Sequence, residues 1–461
     1  MKAQLLNKTF SFEEAKKVLR ELVYNFGTHY KESSAEIPVK RFELRIEKLD
    51  PLLWLAQQNF PTKIYGEDQD ANYAIAGVGE AQAIKGTTNA INLKKLFTQM
   101  HSVLRPEYPY LRYYGGMMFD PGGKDNEWKH FDTYKFIIPR FELAAKEGKM
   151  LFACNIVGKL DNADSLTPII EELDNLQYRP QDIVVPALET KTREDIPSEK
   201  VWQAHIENIL RQIKQNKFQK IVLARKTKFD FPHPLNPWLI LRQLKKVTPY
   251  SYHFCFQYEP GLVFLGASPE RLYRRRGKTI ETEAVAGTRR RGKSHKEDDQ
   301  LREELLHSNK DAREHEIVVK GIESVLSEIS TQFKKENLNI LSLQNGHHLV
   351  TAFTGELKEG VADWQILEKL HPTPAVGGWP KAAALEVLRQ LEPFSRGWYA
   401  GPVGYVGLNE TEFVVAIRSA LVKNNELTVY AGAGIVEGSD PKAEWDEVEN
   451  KIGNFLKVLN Y

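Results

Sequence analysis

The sequence predicts a large mixed α/β or α+β fold whose chemistry gathers at strand ends, and three observations carry that prediction. Apolar strand-like runs such as "FQKIVLARKTKF", "GLVFLGASPE", "TEFVVAIRSALV" and "LTVYAGAGIV" end near Gly, Pro or Ser. Helix-spaced segments alternate with them late in the chain. A chain of 461 residues, 42% hydrophobic and 27% charged, is long enough for two or three domains or one large α/β unit.

Taken in order, the first predicted element is a helix around residues 11–26, followed by the alternating strand "VKRFELRI" and aromatic runs such as "YPYLRYYGGMMF". These specify fold rather than chemistry. The polar, proline-bounded stretch "PALETKTREDIPSEK", residues 186–200, reads as a junction between an N-terminal portion, 1–195, and a second region, 196–461. After it, "VWQAHIENILRQIKQ" has helical spacing, and in "FQKIVLARKTKF" Phe218, Lys220, Val222 and Ala224 share one strand face. Residues 309–329, "NKDAREHEIVVKGIESVLSEI", predict a helix with Ile317, Val318, Ile322, Val325 and Ile329 on one stripe. A final helix starts at Asp440 as N-cap with Pro441 in the first turn, and Trp445, Val448, Ile452 and Phe455 form its apolar stripe.

Composition excludes several classes. A formal net charge of +2 gives no global field for polyanions, so a whole-protein nucleic-acid binder is not expected. Two isolated cysteines, Cys154 and Cys255, make neither a disulfide framework nor a thiolate zinc site, and a reducing, cytoplasmic compartment fits. The start of the chain carries no leader pattern and no run approaches the ~18 apolar residues of a membrane span, so no membrane partner is expected.

Misplaced charges locate the chemistry. Glu314 falls inside the apolar stripe of its helix, near Asp311, and an interior carboxylate must be paired, protonated or metal-bound. His315 lies at the edge of the stripe, where a structural histidine is the commoner outcome, and Glu316 faces solvent. Lys220 and Arg418 interrupt strands that are otherwise apolar, "FQKIVLAR" and "FVVAIRSA". Burial disfavours an ammonium and makes a lysine a competent base, while an arginine suits a fork around a carboxylate. Glu447 and Lys451 stand four apart, which by itself describes an ordinary surface pair of roughly 0.2–0.5 kcal/mol. Gly432, Gly434 and Gly438 give G-x-G-x-x-x-G, which is not dinucleotide spacing, but glycine backbone before a helix start can hold an anion. Together these describe a site for a small dianionic acid, with Mg²⁺ joining two glutamates to a substrate carboxylate.

From about residue 200 onward the ordered blocks "FQKIVLAR", "GASPERL", "ETEAVAGTRRRG", "NKDAREHE", "HPTPAVGGWP", "RGWYAGPVG", "VVAIRSA" and "YAGAGIVEGSDPKAEWDEVENK" resemble the chorismate-utilising enzymes. That resemblance implies antiparallel sheets packed as a sandwich with helices outside. It implies that Lys220 is the base activating water for attack at C2 of chorismate, and that Glu270 is the acid protonating the departing C4 hydroxyl. Glu314 and Glu447 are the implied Mg²⁺ ligands, and Arg418, Tyr399 and the Gly432 backbone the implied clamps on the enolpyruvyl carboxylate. Ala286, Gly287, Thr288, His348, Ala375 and Lys451 match positions lining the site.

Within the family, a lysine at position 220 favours water over ammonia, which implies no obligate glutamine amidotransferase subunit. Alanine at 286, where aminodeoxychorismate synthases often carry an attacking lysine, argues against that activity. The resemblance is nearest to isochorismate synthases of the menaquinone pathway, acting as a monomer. Salicylate synthases, the siderophore-pathway enzymes and a non-catalytic binding homologue are the alternatives. On this reading the arginine-rich stretch "SPERLYRRRGKTIETEAVAGTRRRG" holds the acid and part of the pocket wall, with most of its arginines in a solvated hairpin; it lacks the aromatic platforms of a nucleic-acid grip.

Overall fold

The structure is a computed structural model and describes residues 8–28, 39–88, 90–122, 127–146, 148–158, 163–180, 190–344 and 346–459. Among the described residues, twenty strands form one continuous hydrogen-bonded network in which every strand pair is antiparallel. Three branches leave the long strand Tyr134–Lys146, a short one through Lys149–Val157 to Val39–Ile46 and two long ones. One long branch runs through Tyr73–Gly86, Lys63–Glu67, Tyr252–Glu259, Leu262–Ser268, Ser419–Lys423 and Glu426–Ile435 to Lys220–Asp230. The other runs through Arg112–Met117, Pro402–Gly407, Glu410–Val415, Arg271–Arg276 and Thr279–Arg290 to Gly346–Leu357.

The long branches face each other as the two layers of a sandwich. Ile64, Tyr73 and Phe254 of one line a common cavity with Tyr114, Val403 and Val414 of the other. The strand Lys220–Asp230 shows why the layers must be covered: nine of its eleven positions are buried, so it cannot face water on either side. Helix Asn309–Ile329 lies on the strands Thr279–Arg290 and Gly346–Leu357, and helix Pro441–Val458 on Glu426–Ile435.

Two consecutive strand pairs cross from one layer to the other. Leu262–Ser268 continues into Arg271–Arg276 through Pro269 and Glu270, and Glu410–Val415 continues into Ser419–Lys423 through residues 416–418. The second crossing corrects the sequence expectation that "TEFVVAIRSALV" is one strand with Arg418 inside it. The run breaks because the chain changes layers, and Arg418 itself takes a left-handed conformation, φ 51°. The crossings are tied together: Ser268 Oγ donates to Val415 O at 2.6 Å, and Ala267 N–H donates to Arg418 O at 3.0 Å.

The polar stretch at 186–200 differs from a plain junction. Residues 186–189 lie outside the described residues, but Thr192–Ile196 is a strand paired with Lys226–Asp230. Its polar side chains find partners that periodicity cannot show: Arg193 pairs with Glu449, and the buried Arg225 with Glu449 at 2.9 Å and Asp195 at 3.6 Å. Strands from before this point, Lys63–Glu67 and Arg112–Met117, pair directly with strands from after it.

Candidate active site

The site forms where the two crossings, helix Asn309–Ile329 and helix Pro441–Val458 meet. Its floor is Lys220, fully buried at the start of its strand, opposite Trp379. Lys220 Nζ lies 3.0 Å from Glu314 Oε1, an ion pair without hydrogen-bond alignment. Glu314 is placed by its helix, whose N-cap Ser308 accepts from Asp311 N–H and whose stripe turns this carboxylate inward to 7% exposure. Gly434 permits the meeting: a Cβ there would overlap the Glu314 carboxylate and lie 3.0 Å from Lys220 Cε.

Above this pair is a cavity. Its walls bring together Glu270, Ala286, Gly287, Thr288 and Glu314 with His348, Ala375 and Tyr399, and close with Arg418, Gly432, Glu447 and Lys451. All the site positions implied by the resemblance therefore meet at one place, with Lys220 beneath the wall rather than in it, while Asp311, His315, Glu316 and Gly438 are not among the lining residues. The bulge at Gly287, φ 80°, breaks the register between Ala286 and Thr288 and turns these residues toward the cavity.

Burial sets the protonation of the site. It pushes the Glu270 carboxyl up to about 8, with the neighbouring Glu283 adding to the rise and Lys220 and Lys451 opposing it. It pushes His348 down to about 3, helped by Arg418 and Lys451, so this ring is neutral and shares a 3.1 Å hydrogen bond with Thr288 Oγ1. Arg418 is brought down to about 10, again by burial, with Glu447 opposing, and it donates to Lys451 O at 3.0 Å. Tyr399 stacks on Tyr430 with ring centroids 5.3 Å apart, and its hydroxyl lies near Gly432, where a Cβ would come within 3.2 Å.

Glu447 and Lys451 are more than a surface pair. Lys451 Nζ lies 2.6 Å from Glu447 Oε1 and donates to Gly432 O at 2.9 Å, which ties the helix to the cavity wall. Burial opposes ionisation of Glu447, but Lys451 and Lys310 outweigh it and hold the carboxyl below the usual range. One turn earlier, Glu444 is 1% exposed and its carboxyl is raised by burial and by Glu447. Lys310 Nζ reaches Glu444 at 2.6 Å and Glu447 at 4.0 Å. Sequence reasoning missed Lys310 and the role of Glu444, although both were reachable: Lys310 is four residues before Glu314, and Glu444 three before Glu447.

Two carboxylates from different helices thus offer hard oxygen donors to one cavity, and the lysines beside them balance the acidic charge. Among the described residues no group of three or more His, Cys, Asp or Glu converges as a metal cage. A pair suits Mg²⁺, which keeps waters and takes further oxygens from its substrate. His315 bonds Thr351 Oγ1 at 2.9 Å and is pushed down to about 4 by burial and Lys220, so it is a buried neutral ring in the structure's own framework.

The arginine-rich stretch is less solvated than its sequence suggests. Arg271, Arg274, Arg275 and Arg276 pair with Glu412, Glu281, Asp363 and Glu410, and Arg289, Arg290 and Arg291 with Asp311, Glu297 and Asp298. Carboxylates from neighbouring strands (Glu281, Glu410, Glu412) and from three helices (Glu297, Asp298, Asp311, Asp363) thus neutralise the cluster.

A cavity with a buried lysine at its floor and a protonated carboxyl, Arg418 and Lys451 in its wall defines an enzyme site for a small organic acid. The chain belongs to the chorismate binding enzymes, whose family profile matches residues 27–460. It is 31% identical to isochorismate synthase MenF of Bacillus subtilis over 448 residues, covering 91% of this chain and 93% of that protein. The Haemophilus influenzae isochorismate synthase MenF is 30% identical over 441 residues, with 95% of each chain covered. Among solved structures, the menaquinone-specific isochorismate synthase of Escherichia coli superposes with a TM-score of 0.83 at 29% identity, covering 96% of this chain and 99% of that one. No helix among the described residues is long and apolar enough to cross a membrane.

Proposed function

We propose that the protein is an isochorismate synthase, an isomerase that converts chorismate to isochorismate for menaquinone biosynthesis. The observation that carries the reading is the convergence of Lys220, Glu270, Glu314 and Glu447 on one cavity, in a chain similar over nearly its whole length to isochorismate synthases.

Lys220 takes a proton from a water molecule as that water's oxygen bonds to C2. The C1–C2 double bond moves to C6–C1 and the C5–C6 double bond to C4–C5. The C4–oxygen bond breaks, and Glu270 supplies the proton that lets it leave as water. One water enters and one leaves, so the reaction is an isomerisation. A carboxyl held protonated to about 8 suits the acid's role at neutral pH. Arg418, Tyr399 and the Gly432 backbone hold the enolpyruvyl carboxylate, and Ala286, Gly287, Thr288, His348, Ala375 and Lys451 complete the wall.

Glu314 and Glu447 would hold Mg²⁺, which supplies a fixed positive charge for the ring carboxylate. Because the nucleophile is water, no ammonia-supplying subunit is required, and we take the enzyme to act as a cytoplasmic monomer. The test is incubation with chorismate and Mg²⁺ without ammonia, with chromatography of all products and an EDTA control. Metal-dependent isochorismate is expected; salicylate with pyruvate would make this a salicylate synthase, and no conversion would point to a binding homologue.

A further inference from the structure

We propose that Glu283 is a positioning residue for Glu270: it anchors the peptide that follows the acid and faces it with a second carboxylate. The proposal rests on the isochorismate synthase reading above, in which Glu270 is the acid.

The main chain around Glu270 is pinned at three points. Glu270 N–H donates to Ser268 Oγ at 3.2 Å, Val415 N–H donates to Glu270 O at 3.1 Å, and Arg271 N–H donates to Glu283 Oε1 at 2.7 Å. The third anchor is a charged side chain from another strand, Thr279–Arg290. Strand alternation puts Glu283 on the face of Val285, which lines the cavity. Glu283 is itself half-buried: burial raises its carboxyl, with Glu412 and Glu281 adding to the rise, while the Arg271 N–H and guanidinium oppose it and favour the ionised form.

This arrangement does two separable things. As an acceptor, Glu283 fixes the backbone and so the direction of the acid. As a charge, it makes ionisation of Glu270 costly, because two like charges close together disfavour the second. The groups facing Glu270 are Glu283 from Thr279–Arg290, Lys220 from Lys220–Asp230 and Lys451 from the C-terminal helix; the lysines favour ionisation, while burial and Glu283 oppose it. An acid with Lys451 beside it, and with Lys220 gaining a proton as water attacks, needs such a counterweight to hold its own proton until the C4 oxygen leaves.

The experiment is the pH profile of kcat/KM for the wild type, Glu283→Gln, Glu283→Asp and Glu283→Ala. Gln keeps an acceptor oxygen without the charge, so the rate on the acidic side should stay within about twofold while the alkaline limb moves down by about one pH unit. Asp should leave the limb in place and lower kcat, and Ala should show both defects. A Glu283→Gln limb that superimposes on the wild type overturns the proposal, and so does an Asp variant that shifts it as Gln does. If the wild type converts no chorismate, the reading itself fails and this proposal with it, an outcome distinct from an unmoved limb in an active enzyme.

Discussion

Lys220 Nζ sits 3.0 Å from Glu314 Oε1, so the proposed base and a proposed metal ligand are each other's counter-ion in the protein without metal. The pair is buried, and removing one member of such a pair leaves the other charge uncompensated. Lys220→Ala should lower turnover by about 10²–10⁴-fold, the usual worth of a general base. Chorismate should still bind with Mg²⁺ present, because the metal neutralises the abandoned Glu314. Steady-state kinetics and calorimetry check both parts, and near-normal turnover would remove the base assignment.

Gly434→Ala tests the closeness of that pair without touching either member. Its added methyl would overlap the Glu314 carboxylate and crowd Lys220 Cε at 3.0 Å. The expected result is loss of turnover together with weaker Mg²⁺ binding by calorimetry, while the circular dichroism of the fold is kept.

Glu447→Gln removes one of two proposed ligand charges and leaves Lys451 without its 2.6 Å partner. Mg²⁺ affinity should drop by about 100-fold or more, beyond the loss typical of a residue that only supports a ligand. Glu444→Gln should have a smaller effect, because Glu444 meets Lys310. Titration calorimetry with Mg²⁺ alone separates the two.

Stability should depend on His371, which burial, then Lys381, pushes from 6.5 down to about 4. The unfolded chain binds its proton near 6.5 and the folded chain does not until about 4, so the unfolded state holds more protons between them. The contribution of His371 to stability is therefore complete above the upper value and lost as pH falls toward the lower one. His371→Asn should flatten the fall in Tm over that window; an unchanged slope would contradict the assignment.

Much of the site was legible because its signals are local. Helix Asn309–Ile329 was readable to its ends from its stripe, and its interior carboxylate from helical spacing alone. Asp440 and Pro441 announced the last helix in the same way. What was not legible depends on contacts distant in sequence. The break at Arg418 follows from a change of layer that an unbroken apolar run conceals. The strand Thr192–Ile196 was hidden because its polar residues are satisfied by Arg225 and Glu449, far along the chain. Glu283 carries no local signal of its own, because its partner, Arg271 N–H, is brought to it by the pairing of separate strands.

The central claim is that water, activated by Lys220, becomes the new hydroxyl. The most direct measurement is turnover of chorismate with Mg²⁺ in ¹⁸O-labelled water, followed by mass spectrometry and carbon NMR of the product. The account predicts isochorismate with one labelled oxygen, bonded to C2. Isochorismate without the label would mean that the original hydroxyl migrates, and would contradict it.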